Sequence, residues 1–249
     1  MLAKNFGLNT NGDAFLKIAQ SIPFALIRKE SREPENLEAL FFSFAGLLDE
    51  CADDNYSVDL RFRREYLFRK YNLEATEQAQ PQFFKHRPDN FPTVRLSQLA
   101  SLYHTRQNLF SEVISRETPK AFYELFGVNV NSYWETHYLF DRPSAKKKKE
   151  LSQTFIRLLL INTIIPINFA YAKSIGKEIG EAVVKFMAEL SPENNSVIDK
   201  FGILGIKARN AFESQALLQL KNEFCNFQRC MDCAIGTALL KGEPALKSL

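Results

Sequence analysis

The sequence predicts an all-α protein, an irregular multi-helix bundle of about ten helices, and three observations carry that prediction. Phenylalanine is unusually frequent at 22 residues while Gly and Pro stand at only 10 each, which speaks against a turn-rich β-sandwich and for long uninterrupted elements. Apolar residues recur at three- and four-residue spacing along most of the chain. With 249 residues, 45% of them hydrophobic, there is enough apolar material for one large core or two small ones.

The first helix is expected to open at Asn11-Gly12-Asp13, with Asp13 capping it and Phe15, Ile18, Ala19 and Ile22 on one face until Pro23 ends it. Pro34 suits a first helical turn, and Leu37, Leu40, Phe41, Phe44, Leu47 and Leu48 follow in a broad apolar stripe. From Val58 to Tyr71, Phe62, Tyr66, Leu67 and Tyr71 mark the apolar face and Arg61, Arg63, Arg64, Arg69 and Lys70 the polar one. Residues 74–92 lose periodicity and collect Pro81, Pro88 and Pro92, which reads as a long connecting loop of the kind that often carries function. A helix with Leu96, Leu99, Ala100 and Tyr103 comes next, then shorter ones carrying Leu109 to Ile114 and Phe122 to Phe126, the last stopped by a left-handed Gly127. A second irregular stretch, 128–144, holds the only tryptophan and leads into Lys146 to Lys149. Beyond it lie a long apolar helix from near Ala145 kinked or broken near Pro166, and further helices over 176–190, 197–206 and 210–224. Two subdomains are expected, a helical one over 1–144 and a second over 145–249 that carries the cysteine cluster.

The net charge of +3 is too small to imply nucleic-acid binding by itself, so any electrostatic partner must be read from local clusters. The N-terminus has no secretory pattern, and the uncharged run from Leu158 to Ala172 is shorter than the roughly 20 residues that span a bilayer. It reads as a buried helix with no membrane role. Four cysteines without a signal point to free thiols or metal ligands in a reducing cytoplasm.

Several blocks in order resemble one family: Leu2 to Gly7, Arg87 to Leu96, Tyr133 to Tyr138, Ser214 to Leu217, and the tail Cys225, Cys230, Cys233 to Gly236. The chain is similar in these blocks to the bacterial family catalogued as domain of unknown function 2851. The resemblance implies that a further region, resembling a nuclease core, precedes this C-terminal helical portion in other members, present here as a separate chain or absent. It implies no activity, and Cys51 matches no cysteine of the family.

Two sets of residues are candidates for chemistry. Cys225, Cys230 and Cys233 have the spacing C-x4-C-x2-C at a helix junction, and three thiolates there suit zinc or an iron–sulfur cluster if Cys51, a histidine or a partner supplies a fourth ligand. The same cysteines equally suit packing as small hydrophobes, or a redox role. Arg87, Asn90 and Arg95, with Asp89, flank two prolines at a helix start, where free N–H groups and guanidinium forks would hold a phosphate or carboxylate unless the arginines pair with acidic neighbours. Lys146, Lys147, Lys148 and Lys149, near Arg142, form a cationic run for a nucleic-acid backbone, with Tyr133, Trp134, Tyr138 and Phe140 to stack on bases, or simply a solvated helix end. Glu135 and His137 are two apart and diverge in either regular structure, so they are not expected to act as a pair. His86 and His104 have no partner pattern. No phosphate loop, dinucleotide fingerprint, G-x-S-x-G or H-E-x-x-H is present, so no catalytic motif is recognised. The expected role is a helical module that binds nucleic acid or supports a nuclease-like region. The alternative is a structural or protein-interaction domain with a zinc-stabilised cysteine corner.

Overall fold

The computed structural model describes residues 1–49, 54–74 and 77–242, and the chain divides into two compact units, Met1–Tyr171 and Ala172–Leu249. The fold is all-α, with a single two-stranded hairpin among the described residues. Its helices are shorter and more numerous than the periodicity alone indicates.

The first unit is built round two buried helices. The chain opens with α1 (Leu2–Phe6), α2 (Leu8–Ser21) and α3 (Phe24–Glu30), and then enters α4 (Pro34–Phe44), in which every residue from Asn36 to Phe44 is buried. Helix α5 (Asn55–Tyr71) packs on α4, as does α6 (Pro92–Thr105), which is buried from Pro92 to Leu102. Both buried helices start at a proline, whose missing N–H is no loss in a first turn. Short helices α7 (Leu109–Ile114), α8 (Pro119–Leu125) and α9 (Ser132–Glu135) follow. The hairpin pairs β1 (His137–Leu139) with β2 (Arg142–Pro143) through a turn at Asp141, φ 54°. Helix α10 (Gln153–Leu159) then packs on α1, with Phe155 edge-on to Phe6 at 5.3 Å between ring centroids.

Several sequence expectations change here. Asp13 does not start a helix, because α2 begins at Leu8; Asp13 is exposed and pairs with Lys4 at 3.0 Å. Asn11 is buried within α2, where its side chain accepts from Gln82 N at 2.7 Å and donates to Gln82 O at 2.8 Å, clamping the proline-rich loop to the helix. In α5 the buried positions are Ser57, Leu60 and Leu67; of the expected apolar face Leu67 is buried and Tyr71 half-buried, whereas Phe62 is 72% and Tyr66 54% exposed, so the buried line is rotated away from those two rings. Gly127 has no left-handed φ, and α8 ends on Phe126 instead.

The division between the two compact units falls at 171/172. Residues 145–152 are not helical; they run along the first unit, with Leu151 N donating to Val128 O at 3.2 Å and Lys147 N to Glu135 O at 2.9 Å. The kink or break expected near Pro166 takes the form of a single π-turn, Leu160–Ile164, between α10 and α11 (Ile165–Ser174). Pro166 has no N–H and its ring crowds the carbonyl four residues back, so the preceding turn widens rather than stopping. By length and composition, Gln153–Ser174 meets the criterion for a membrane-crossing helix, with mean hydropathy 1.6. Its first half is packed in the core: Phe155, Ile156, Leu159, Leu160 and Ile164 are buried, and Asn5 Nδ2 donates to Thr163 Oγ1 at 2.6 Å.

In the second unit, α12 (Gly180–Glu189) and α13 (Ser196–Ile203) pack on α14 (Ala211–Gln219). Asn195 and Asn210 cap the last two, the Asn195 side-chain oxygen accepting from Val197 N and Ile198 N and that of Asn210 from Glu213 N. Ala211 N donates to Leu190 O at 2.9 Å and Glu193 N to Ser214 Oγ at 3.1 Å, tying the ends of α12 and α14 together. Helix α15 (Ala234–Leu240) closes the described chain.

Candidate functional site

The irregular segment after α8 is folded by its own polar and aromatic groups, and it carries the chemistry of the first unit. Asn131 caps α9 through Tyr133 N at 3.2 Å, which turns Trp134 fully into the core. There its ring meets Phe42, Phe140 and Tyr56 edge-on, at centroid distances of 5.5, 5.1 and 6.0 Å. Beside it α4 supplies Glu38, which has no exposed surface and accepts a hydrogen bond from the Tyr56 hydroxyl. Burial pushes the Glu38 carboxyl up to about 7, against the opposing hydrogen bonds from Ser97 and Tyr56. Its second oxygen and the Trp134 indole N–H are both buried beside each other's residues, and neither meets a partner in full hydrogen-bond geometry among the described residues.

From this point a column of three rings runs outward. Tyr56 stacks on Tyr133 at 4.1 Å and 12°, and Tyr133 on the half-buried His137 at 4.0 Å and 4°. The Tyr133 hydroxyl donates to Asp54, which also caps α5 through Ser57 N at 2.7 Å and receives Asp141 N at 3.0 Å. Burial works against the Asp54 charge, but these donors hold its carboxyl below the ordinary range.

A second network lies under the α6 start. Arg95 is buried, donates to Gln98 Oε1 at 2.8 Å and Asn90 Oδ1 at 2.6 Å, and lies 3.6 Å over the Phe155 ring. Burial pulls its guanidinium down to about 10, so it remains charged at neutral pH. Gln98 in turn donates to Lys149 O at 2.8 Å. Lys149 is itself buried, donates to Trp134 O and to His137 O (2.7 Å), and sits 3.7 Å over Tyr138; burial lowers its pKa. Arg95, Asn90 and Lys149, expected to face an anion, therefore brace the interior instead. Trp134, expected to stack on bases, is enclosed for the same reason.

The other members of both basic clusters are on the surface, and the structure brings them together. Lys147 Nζ lies 2.6 Å from Asp89, which also accepts from Tyr138 at 2.9 Å. Burial acts against the Asp89 charge, but these two donors hold its carboxyl below the ordinary range. Lys146 pairs with Glu135 at 3.6 Å and Lys148 with Glu150 at 2.8 Å. On the adjoining loop Phe84 is 74% exposed, with Lys85 Nζ 5.5 Å from its ring centre. Lys85 and the exposed Arg87 meet no carboxylate among the described residues. The loop is held from behind by Asn11, which contacts Gln82 and His86, and by Phe83 edge-on to Phe91 at 5.2 Å. Sequence reasoning missed Glu38, Tyr56 and Phe84. For Glu38 the available signal was an acidic residue inside the stripe between Leu37 and Leu40.

In the second unit Cys225 and Cys230 are exposed and Cys233 is buried, all as free thiols. Among the described residues no three His, Cys, Asp or Glu side chains are grouped to hold a metal ion, so the expected cysteine ligands are not brought together; Cys51 lies outside the described residues. Gly236 fits tightly over this turn, since a Cβ there would stand 2.3 Å from Cys230 O.

The fold and site define a helical module with a polar, hydrogen-bonded interior and a cation-bearing outer loop. The chain belongs to the family described as Protein of unknown function (DUF2851), whose model matches residues 1–196. The match covers the whole first unit, while the cysteine tail lies beyond it. No curated protein and no solved structure matches the chain.

Proposed function

We propose that the first unit binds single-stranded nucleic acid on a composite surface made by the loop carrying Phe84, Lys85 and Arg87 and by Lys146, Lys147 and Lys148. The observation that carries this reading is the Lys147–Asp89 contact of 2.6 Å, which makes one surface of two clusters some sixty residues apart in sequence. Exposed ion pairs of this kind contribute about 0–1 kcal/mol, so a phosphate displaces the carboxylate from a lysine at little cost. Phe84 offers a free ring face for a base, and stacking is tolerant of sequence. The role is binding rather than catalytic; cleavage, if the chain serves a nuclease-like region, falls to that region.

The test is fluorescence anisotropy with labelled single-stranded DNA and RNA beside a duplex, at low salt. The single strands are expected to bind more tightly than the duplex, and Phe84→Ala to weaken them roughly tenfold, as lost stacking of about 1–3 kcal/mol requires. No binding at low salt contradicts the reading. The exposed α5 positions Val58, Phe62 and Tyr66, one turn apart on one face, favour a second reading as a protein-interaction domain. Phe62→Ala would then abolish capture of a partner without affecting oligonucleotide binding.

A further inference from the structure

Apart from the basic surface, α3 and the α6–α7 corner border an open, shallow cleft with two dissimilar halves. One half, of about 240 Å³, has an apolar floor of Ile27, Tyr103 and Leu109 between the exposed rings of Phe24 and Phe110. The Phe24 and Tyr103 rings meet edge-on at 6.1 Å, which fixes one wall. The adjoining half, of about 320 Å³, is lined by Arg28 and Lys29 with the side-chain amides of Gln107 and Asn108. Arg28, Gln107 and Asn108 border both halves, so the two are continuous.

The chemistry of the lining is one-sided. No carboxylate lines either half, and the Arg28 guanidinium meets none among the described residues. Lys29 lies 5.1 Å over the Tyr71 ring, a contact that leaves its charge available. The Tyr103 hydroxyl has no hydrogen-bond partner among the described residues, and burial alone pushes its pKa up. A cup for an apolar group therefore opens onto donors and positive charge. Small-molecule sites commonly combine apolar walls with a few polar groups that fix orientation.

We infer that this cleft binds a small amphipathic monocarboxylate, its aryl or alkyl part between Phe24, Tyr103 and Phe110 and its carboxylate against Arg28. A neutral ligand would leave the guanidinium without its counter-charge, and a cationic one would be repelled. A planar carboxylate matches the guanidinium fork, which a lysine in its place would not do. The inference is independent of the nucleic-acid reading, since none of these residues lies on the basic loop.

The experiment is an NMR titration of the full chain with 3-phenylpropionate, beside its amide and beside a peptide ending in phenylalanine. Saturable shifts confined to residues of α3 and the α6–α7 corner are expected, with the amide and the Arg28→Gln variant each weaker by about tenfold or more, as loss of a charged hydrogen bond implies. Arg28 is exposed and makes no ion pair among the described residues, so its variant keeps the fold; unchanged melting confirms that loss of binding is local. Absence of saturation with 3-phenylpropionate, or equal affinity for the acid and the amide, would overturn the assignment. Tighter binding of the peptide than of the free acid would overturn it in favour of a protein C-terminus.

Discussion

Glu38 shows how one residue sets a condition on the whole core. Its carboxyl is fully enclosed between Tyr56 and Trp134, and burial raises it to about 7 from the ordinary value near 4.5. The folded state therefore holds the proton more tightly than the unfolded chain, and stability is full below about pH 4.5 and falls as pH rises to about 7. Glu38→Gln keeps the acceptor for Tyr56 and removes the charge. Melting curves at pH 5 and pH 8 should show a loss on the order of 3 kcal/mol in the parent and little in the variant; parallel profiles would show that Glu38 does not titrate in this range. Arg95 makes the opposite demand, since its fork reaches Asn90 and Gln98 while its plane lies on Phe155. Arg95→Lys keeps the charge but loses the fork and the stack, and urea unfolding should register a loss of about 2–3 kcal/mol. Residue types at 38 and 95 were plain in the sequence, but their burial was not. A lone Glu in an apolar stripe and an Arg at a helix start ordinarily face water, and only the convergence of α4, α5 and the Trp134 segment decides otherwise.

Among the elements, α4 and α6 were the most legible, because a proline start and a wide apolar stripe both survive folding. Helix α5 was legible as a helix but not in its orientation. Its aromatic residues marked Phe62 and Tyr66 as inward, whereas Leu60 and Leu67, seven residues apart, form the buried line. Leu67→Ala should therefore cost about 2–5 kcal/mol in denaturant unfolding and Phe62→Ala no more than about 0.5 kcal/mol. Comparable losses at both positions would mean that the face is assigned wrongly. The start of α2 was misread because Asn-Gly-Asp is ordinarily turn chemistry. Asn11 stays within the helix because its amide satisfies both the N–H and the C=O of Gln82, a contact 71 residues away in sequence that no local pattern encodes.

For the molecule as a whole, the lysine run illustrates why the boundary and the site had to be read from the structure. Four consecutive lysines look equivalent in sequence, yet Lys149 is interior and joins the 145–152 segment to Trp134 and His137, while the side chains of Lys146, Lys147 and Lys148 are exposed and pair with Glu135, Asp89 and Glu150. Thermal melting should separate them, with Lys149→Ala losing about 2–4 kcal/mol and Lys148→Ala less than about 1 kcal/mol. The clustering of exposed cations about Asp89 was likewise beyond sequence reasoning, since it depends on the loop after α5 meeting the segment before α10. What that surface does is tested most directly by the salt dependence of single-strand binding. Oligonucleotide affinity would be measured over a salt series for the parent chain and for Lys85→Ala combined with Arg87→Ala. Two lost phosphate contacts should lower the slope of log affinity against log salt by about 1.4, at about 0.7 per contact. A slope unchanged in the double variant would contradict the account and take nucleic-acid binding away from this loop.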